Sequence, residues 1–132
     1  TTLMVMLDAS DPFNGCLYFL PGSHKRGRIE PYRDGTTAYK LWSVPPAHMR
    51  ALLDEGPEPV AIGGKPGDGA LFHCNLLHAS GHNLSSRDRW QAYFCYNRVA
   101  NRPADVDRPR PDYVRSTNWT PMELADDARV AA

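Results

Sequence analysis

The sequence predicts an all-β fold with minor helices, a sandwich or barrel, and three observations carry that expectation. Its apolar runs are short and are separated by clusters of glycine, proline, asparagine and aspartate, the residues that reverse a chain between strands. Only two stretches carry helix-start signals, and both are modest. The intervals between runs do not supply the helices of roughly ten or more residues that a doubly wound parallel sheet needs between its strands.

Taken in order, Thr2 to Leu7 and Cys16 to Leu20 are apolar runs, and the Asn14-Gly15 turn between them predicts an antiparallel pair buried on both faces. Pro21-Gly22-Ser23-His24 stops the second strand, because proline removes a ladder donor and glycine permits the reversal. Lys25 to Tyr39 is charged and aperiodic and reads as an excursion or lid loop. Pro45 or Pro46 opens a short helix through Asp54, closed by Gly56 and Pro57. Val60 to Ile62 and Ala70 to Cys74 are strands on either side of a turn-rich connection. Trp90 to Val99, the longest aromatic and β-branched run, is expected to be a central strand. Asn101 to Pro111 holds three prolines and must run over the surface. Thr120-Pro121-Met122-Glu123 looks like the cap and first turn of a last helix reaching Asp127.

Composition narrows the partners. The chain has 132 residues, 42% of them apolar, enough for one domain with a core of its own. Basic and acidic residues number 15 each, so no global field draws it to nucleic acid or to an anionic membrane. No apolar run approaches the length of about 18 residues that a membrane helix requires. Cys16, Cys74 and Cys95 lack C-x-x-C spacing and sit in apolar runs, where buried free thiols and a reducing cytoplasm are the expectation. The opening Thr1-Thr2-Leu3 has no methionine and already lies in an apolar run, which reads as a cut end.

Chemistry concentrates between Gly67 and Asn97. Three of the five histidines, His73, His78 and His82, fall within ten positions, followed by Arg87 and Arg89. Imidazole is the commonest ligand for a transition metal, and guanidinium is the preferred clamp for a carboxylate. A lone histidine among apolar residues is more often a satisfied core group, but His78 has Ser80 two residues on and Arg89 eleven residues on. Antiparallel pairing of their two strands would bring both side chains to one pocket. The other histidines read more plainly: His24 as a turn polar group, His48 as a helix residue, His82 as solvated, and His73 as a weaker pocket candidate. Asp68 is a turn residue.

His78-x-Ser80, then Asn83, then Arg89 before an aromatic strand, together with Pro66-Gly67-Asp68, Asn14-Gly15 and Pro21-Gly22-Ser23-His24, resembles the phytanoyl-CoA dioxygenase family, which includes ectoine hydroxylases. The likeness covers about Leu3 to Asn97, and its specificity lies in five short motifs occurring in order. It implies a double-stranded β-helix, a cupin-like jelly roll, and a dioxygenase that uses Fe(II) with 2-oxoglutarate and molecular oxygen on a small-molecule substrate. In that family two histidines and a carboxylate hold the iron. His78 matches the distal histidine as metal ligand, Arg89 the arginine that binds the far carboxylate of 2-oxoglutarate, and Ser80 a hydroxyl beside it. Phe72 and Tyr93 match aromatics that shape the substrate pocket, with plain core as the alternative. No catalytic group beyond the metal ligand is implied.

One departure limits the match. The family's other two ligands form a His-x-Asp or His-x-Glu pair, and no histidine here has an acid two residues later. The chain is therefore expected to be the C-terminal part of a single oxygenase domain, residues 1–132, incomplete at its N-terminus and inactive by itself. Two other readings stay open: a non-haem iron halogenase of the same fold, and a metal-free cupin-like binding module.

Overall fold

Along Thr2–Met6 (β1), Thr2, Met4 and Met6 are buried while Leu3 and Val5 are only partly so. Successive strand side chains point to opposite faces, so this period of two gives β1 an inner and an outer face. The computed structural model describes residues 1–36, 41–102, 104–109, 111–112 and 116–123. The further elements are β2 (Leu17–Phe19), β3 (Tyr32–Asp34), β4 (Leu41–Ser43), α1 (Pro46–Glu55), β5 (Val60–Ile62), β6 (Gly69–Phe72), β7 (His78–Ser80) and β8 (Gln91–Cys95).

Six strands form two antiparallel sheets, ordered β6-β1-β8 and β5-β2-β7, and β3 and β4 form a separate hairpin. From β1 to β2, and at each step from β5 to β8, the chain crosses from one large sheet to the other. That winding is the jelly roll, the double-stranded β-helix that the family resemblance implied. The sheets face each other through Met4, Met6 and Phe72 on one side and Leu17 and Phe19 on the other, with Ile62, Ala70 and Leu76 packed around them. Phe19 and Phe72 meet with ring centroids 4.7 Å apart.

α1 begins with Pro46 at its first turn, where a missing N–H goes unneeded. It buries Leu52 and ends where Gly56 turns extended ahead of Pro57. After β2, Gly22 takes φ +76° and starts the short 3-10 turn Ser23–Lys25. Ser23 is buried and its Oγ accepts the Leu77 N–H at 2.9 Å, while Leu20 N–H donates to Leu77 O at 3.0 Å. The turn thereby pins the residue that precedes β7.

Several expectations are corrected. β1 and β2 do not pair; Asn14 has negative φ, so the two-residue turn of a hairpin is unavailable and the chain arches into the opposite sheet. The outer-face residues of β1 stay partly exposed, so the strand is not buried on both faces. β8 is an edge strand among the described residues, because its aromatics suit any pleated surface, not a central one in particular. β7 pairs with β2 and β8 with β1, so the two are not partners. Part of the Lys25 to Tyr39 excursion is the first strand of the β3–β4 hairpin, in which Arg33 lies opposite Trp42 and over its ring at 6.0 Å; strands of three residues are too short to show a period. Cys16 is buried as expected, whereas Cys74, beyond the end of β6, and Cys95, at the end of an edge strand, are exposed.

By its contacts the chain divides into two compact units, Thr1–Cys95 and Tyr96–Ala132. In the second, Asn101 donates to Asn97 at 2.8 Å and Arg102 lies over the Trp119 ring at 5.4 Å. Residues 120–123 belong to no regular element, and the continuation of the expected last helix toward Asp127 lies outside the described residues.

The loops after β1 and β7 are stitched together. Asp11 Oδ1 accepts from the N–H groups of Phe13 and Asn14, the buried Asn14 side chain bridges Asp11 N–H and Ala9 O, and Leu84 N–H donates to Phe13 O. Arg87 closes the seam with an ion pair to Asp11 Oδ2 at 2.6 Å. Gly15, at φ +84°, is where the two backbones come closest: an added Cβ would lie 2.8 Å from Gly81 O. Gly15→Ala combines left-handed strain with that clash and is expected to lower stability by about 2–4 kcal/mol in urea unfolding. A loss below about 0.5 kcal/mol would show that the loops are not in tight apposition.

The Arg87 hydrogen bond holds the Asp11 carboxyl below its ordinary pKa against the opposing effect of desolvation, with lesser help from the Phe13 and Asn14 N–H groups. A depressed carboxylate contributes stability above its unfolded pKa, and that contribution is lost as pH falls through the folded value. Asp11→Asn keeps the turn acceptor but cannot ionise. Between about pH 5 and about pH 2 its stability should therefore fall less steeply than that of wild type; equal slopes would refute the assignment.

Candidate functional site

Strand register carries the polar side chains to the faces that build the core. On β7, His78 lies opposite Phe19 and Ser80 opposite Leu17, so both point inward with those buried residues, while Ala79 faces out beside Tyr18. On β8, Gln91 lies opposite Met6 and Tyr93 opposite Met4. Arg89 precedes the strand by two residues, and the hydrogen bond from its Nη1 to Gln91 Oε1 sets its guanidinium beside Gln91. His78 and Ser80 are nevertheless exposed and Tyr93 is 47% exposed. Inward-pointing side chains that solvent still reaches mark the open mouth of the sandwich.

His78 is oriented by its neighbours. Its Nδ1 lies 2.8 Å from Leu76 O, and a carbonyl oxygen only accepts, so Nδ1 carries a hydrogen, and in the neutral imidazole the lone pair lies on Nε2. Phe72 and Phe19 flank the ring at 5.7 and 6.4 Å, the latter edge-on. Phe72 is thus both a core residue and a wall beside His78. An imidazole with one nitrogen tied to a carbonyl and the other free is the usual arrangement of a metal-binding histidine. Among the described residues no three His, Cys, Asp or Glu side chains converge, so His78 would contribute a single ligand.

Arg89 is half-buried. One of its terminal nitrogens, Nη1, donates to Gln91 Oε1, which also accepts from Tyr93 Oη at 2.7 Å. Arg89 Nε and Gln91 Nε2 are buried and have no partner. The ion pairs among the described residues involve Arg26, Arg28 and Arg87, so Arg89 has no acidic partner there. A buried guanidinium nitrogen left unmatched costs about 1–3 kcal/mol, and a carboxylate, planar and acceptor-only, would relieve it. The unmatched donor of Arg89 thus fits an acidic ligand, and the imidazole of His78 is able to take a metal.

Arg87 and Arg89 differ sharply: the first is 55% exposed and committed to Asp11, the second belongs to the inner face. His24 stacks on His73 with centroids 5.4 Å apart, and His73 Nδ1 accepts the Asn75 N–H at 3.1 Å, so these two form a pair of their own. His48 and His82 are exposed. Asp68 accepts the Lys65 N–H within its turn. Sequence reasoning passes over Gln91, although its place midway between Arg89 and Tyr93 in a strand of period two was a usable signal. A cavity of about 120 Å³ lies between the Ser23–Lys25 turn and α1, lined by Leu20, Pro21, Arg26, Leu52 and Pro57 among others. It contains none of the inner-face polar residues, so concavity alone would have missed this site.

Comparison with known proteins points the same way. Residues 1–90 match the family described as Phytanoyl-CoA dioxygenase (PhyH). The ectoine dioxygenase of Sphingopyxis alaskensis is 34% identical over 119 residues, covering 83% of this chain and 39% of that protein. A 2-aminoethylphosphonate dioxygenase of an uncultured bacterium is 35% identical over 106 residues, covering 80% and 36%. The crystal structure of EctD from S. alaskensis with 2-oxoglutarate and 5-hydroxyectoine superposes with a TM-score of 0.69 at 30% identity, covering 87% of this chain and 38% of that one. The chain thus spans about two fifths of the length of these relatives. With the family matched over most of its length and the jelly roll shared with a solved relative, the chain belongs to the phytanoyl-CoA dioxygenase family.

Proposed function

We propose that this chain is the C-terminal part of an oxygenase domain that uses Fe(II), 2-oxoglutarate and molecular oxygen to hydroxylate a small molecule. The observation that carries the reading is Arg89: a guanidinium on an inner face, with a buried unpartnered Nε and no acidic partner among the described residues, across the sandwich from a histidine whose Nε2 is free. EctD structures with 2-oxoglutarate and with bound Fe are similar to this chain. Iron of this type, when bound, couples oxidative decarboxylation of 2-oxoglutarate to oxidation of a C–H bond.

The chain's own residues bind and orient. His78 supplies one imidazole through Nε2, held in its tautomer by Leu76 O. Arg89 takes the far carboxylate of 2-oxoglutarate, with the Ser80 hydroxyl beside it on the opposite sheet's inner face. Phe72 closes the floor next to His78, and Tyr93 lines the mouth where a substrate enters. The free cysteines, two of them exposed, support a reducing, cytoplasmic setting; among the described residues no helix is long and apolar enough to cross a membrane.

The test separates the two arginines in the protein expressed from its complete reading frame. Arg89→Lys keeps the charge but loses the planar fork, and the KM for 2-oxoglutarate is expected to rise about ten- to a hundredfold with little change in stability. Arg87→Lys, which preserves a cation beside Asp11, should behave as wild type. If the defect follows Arg87 instead, the assignment of Ser80 and Tyr93 falls with that of Arg89. In the same protein His78→Ala should abolish stoichiometric iron binding while the fold persists; retention of iron would reduce His78 to a wall residue.

A further inference from the structure

Two buried donors without acceptors, Arg89 Nε and Gln91 Nε2, sit two residues apart on one strand face. Their relation follows from the chemistry of the pair. Guanidinium nitrogens only donate, so the Gln91 amide must turn its oxygen toward Arg89, and the same oxygen receives the Tyr93 phenol at 2.7 Å. With Oε1 committed twice, the amide cannot flip. Its NH2 is therefore held, buried, with nothing to bond.

We propose that Gln91 is the positioning residue of the carboxylate clamp, an inference that rests on the reading of Arg89 given above. By holding Nη1, Gln91 fixes the plane of the guanidinium and leaves the Nε–Nη2 edge to meet the carboxylate side-on. Its own Nε2–H then points a second, neutral donor at the same ligand. Tyr93 is the third member: its hydroxyl anchors the amide from the mouth side, which ties the wall of the substrate entrance to the co-substrate site. Gln91 acts on the co-substrate chiefly by holding Arg89 and secondarily through this donor, and the register opposite Met6 keeps it there.

This arrangement makes a charge-specific prediction. Gln91→Glu has nearly the same shape, but its carboxylate would pair with Arg89 internally and repel the ligand. Gln91→Leu removes both hydrogen-bonding ends and adds no charge. Binding of 2-oxoglutarate is measured directly by calorimetry with Mn(II) in place of iron, on the protein from its complete reading frame, with thermal unfolding recorded for each variant. Dissociation constants are expected to rise about tenfold for Gln91→Leu, by at least another tenfold for Gln91→Glu, and by less than about threefold for Tyr93→Phe. A purely structural glutamine would show the reverse order, with the isosteric Glu tolerated better than Leu. Near-wild-type binding by Gln91→Glu, while Arg89→Lys is impaired, overturns the proposal and leaves the arginine assignment standing. Wild-type binding by Arg89→Lys as well overturns both. If Gln91→Glu fails to fold, Gln91→Met takes its place against Gln91→Leu: equal weakening by the two supports loss of the amide, and wild-type binding by either overturns it.

Discussion

The Phe19–Phe72 contact, 4.7 Å between centroids, joins the two sheets, and the site is built against it. Phe72 is at once the last residue of β6, a member of the core and the neighbour of His78. Burial of each ring contributes roughly 1.5–3 kcal/mol, and it also sets how far apart the inner faces stand. His78 and Ser80 descend from one face and Arg89, Gln91 and Tyr93 from the other. The separation of the strand-borne residues is therefore a property of the core. Aromatic rings suit this place because they fill the gap with stiff walls of few rotamers.

The loops serve the same end. Ser23 Oγ and the Leu20–Leu77 bond fix the backbone ahead of His78, and the Asp11–Arg87 seam fixes the loop that leads to Arg89. Each anchor is a side-chain or backbone hydrogen bond to a residue other than His78 and Arg89, so His78 gives only Nδ1 to being held and Arg89 only Nη1. The arginine nearer the surface takes the structural ion pair, and the deeper one keeps a donor free. That division of labour explains why two arginines two residues apart have unrelated surroundings.

Much of the architecture was legible because it depends on local chemistry. Pro46 and Gly56 bracket α1, Gly22 turns the chain after β2, and five apolar runs correspond to β1, β2, β5, β6 and β8, the last of them only half as long as the run Trp90 to Val99. What misled was pairing. A strand's sequence records which face is apolar but not which strand lies beside it, so Asn14-Gly15 suggested a hairpin where the chain arches between sheets. The aromatic wealth of β8 likewise suggested a central place for a strand at the edge. At the site, the motif order drew attention to His78, Ser80 and Arg89, while Gln91 offered only its position between Arg89 and Tyr93. A neutral amide between an arginine and a tyrosine carries no motif, and its importance appears only when its neighbours' bonds are counted.

Gln91 and Arg89 also show why stability alone cannot account for this face. Replacing either by an apolar residue beside Met4 and Met6 would remove an unmatched buried donor, a change that ordinarily helps a fold. An acid placed within reach of Arg89 would do the same by pairing with it. The described residues contain neither solution: the cation is desolvated on one edge, steadied by a neutral oxygen, and left without a counter-charge. Among the described residues nothing matches such a group, and that is what supports the proposed acidic ligand. A planar dianion satisfies the cation on both counts, supplying charge and paired acceptors at once, whereas water supplies acceptors alone. On the proposed reading, selectivity for a carboxylate would therefore reside less in the presence of an arginine than in the absence, among the described residues, of an acid paired with it.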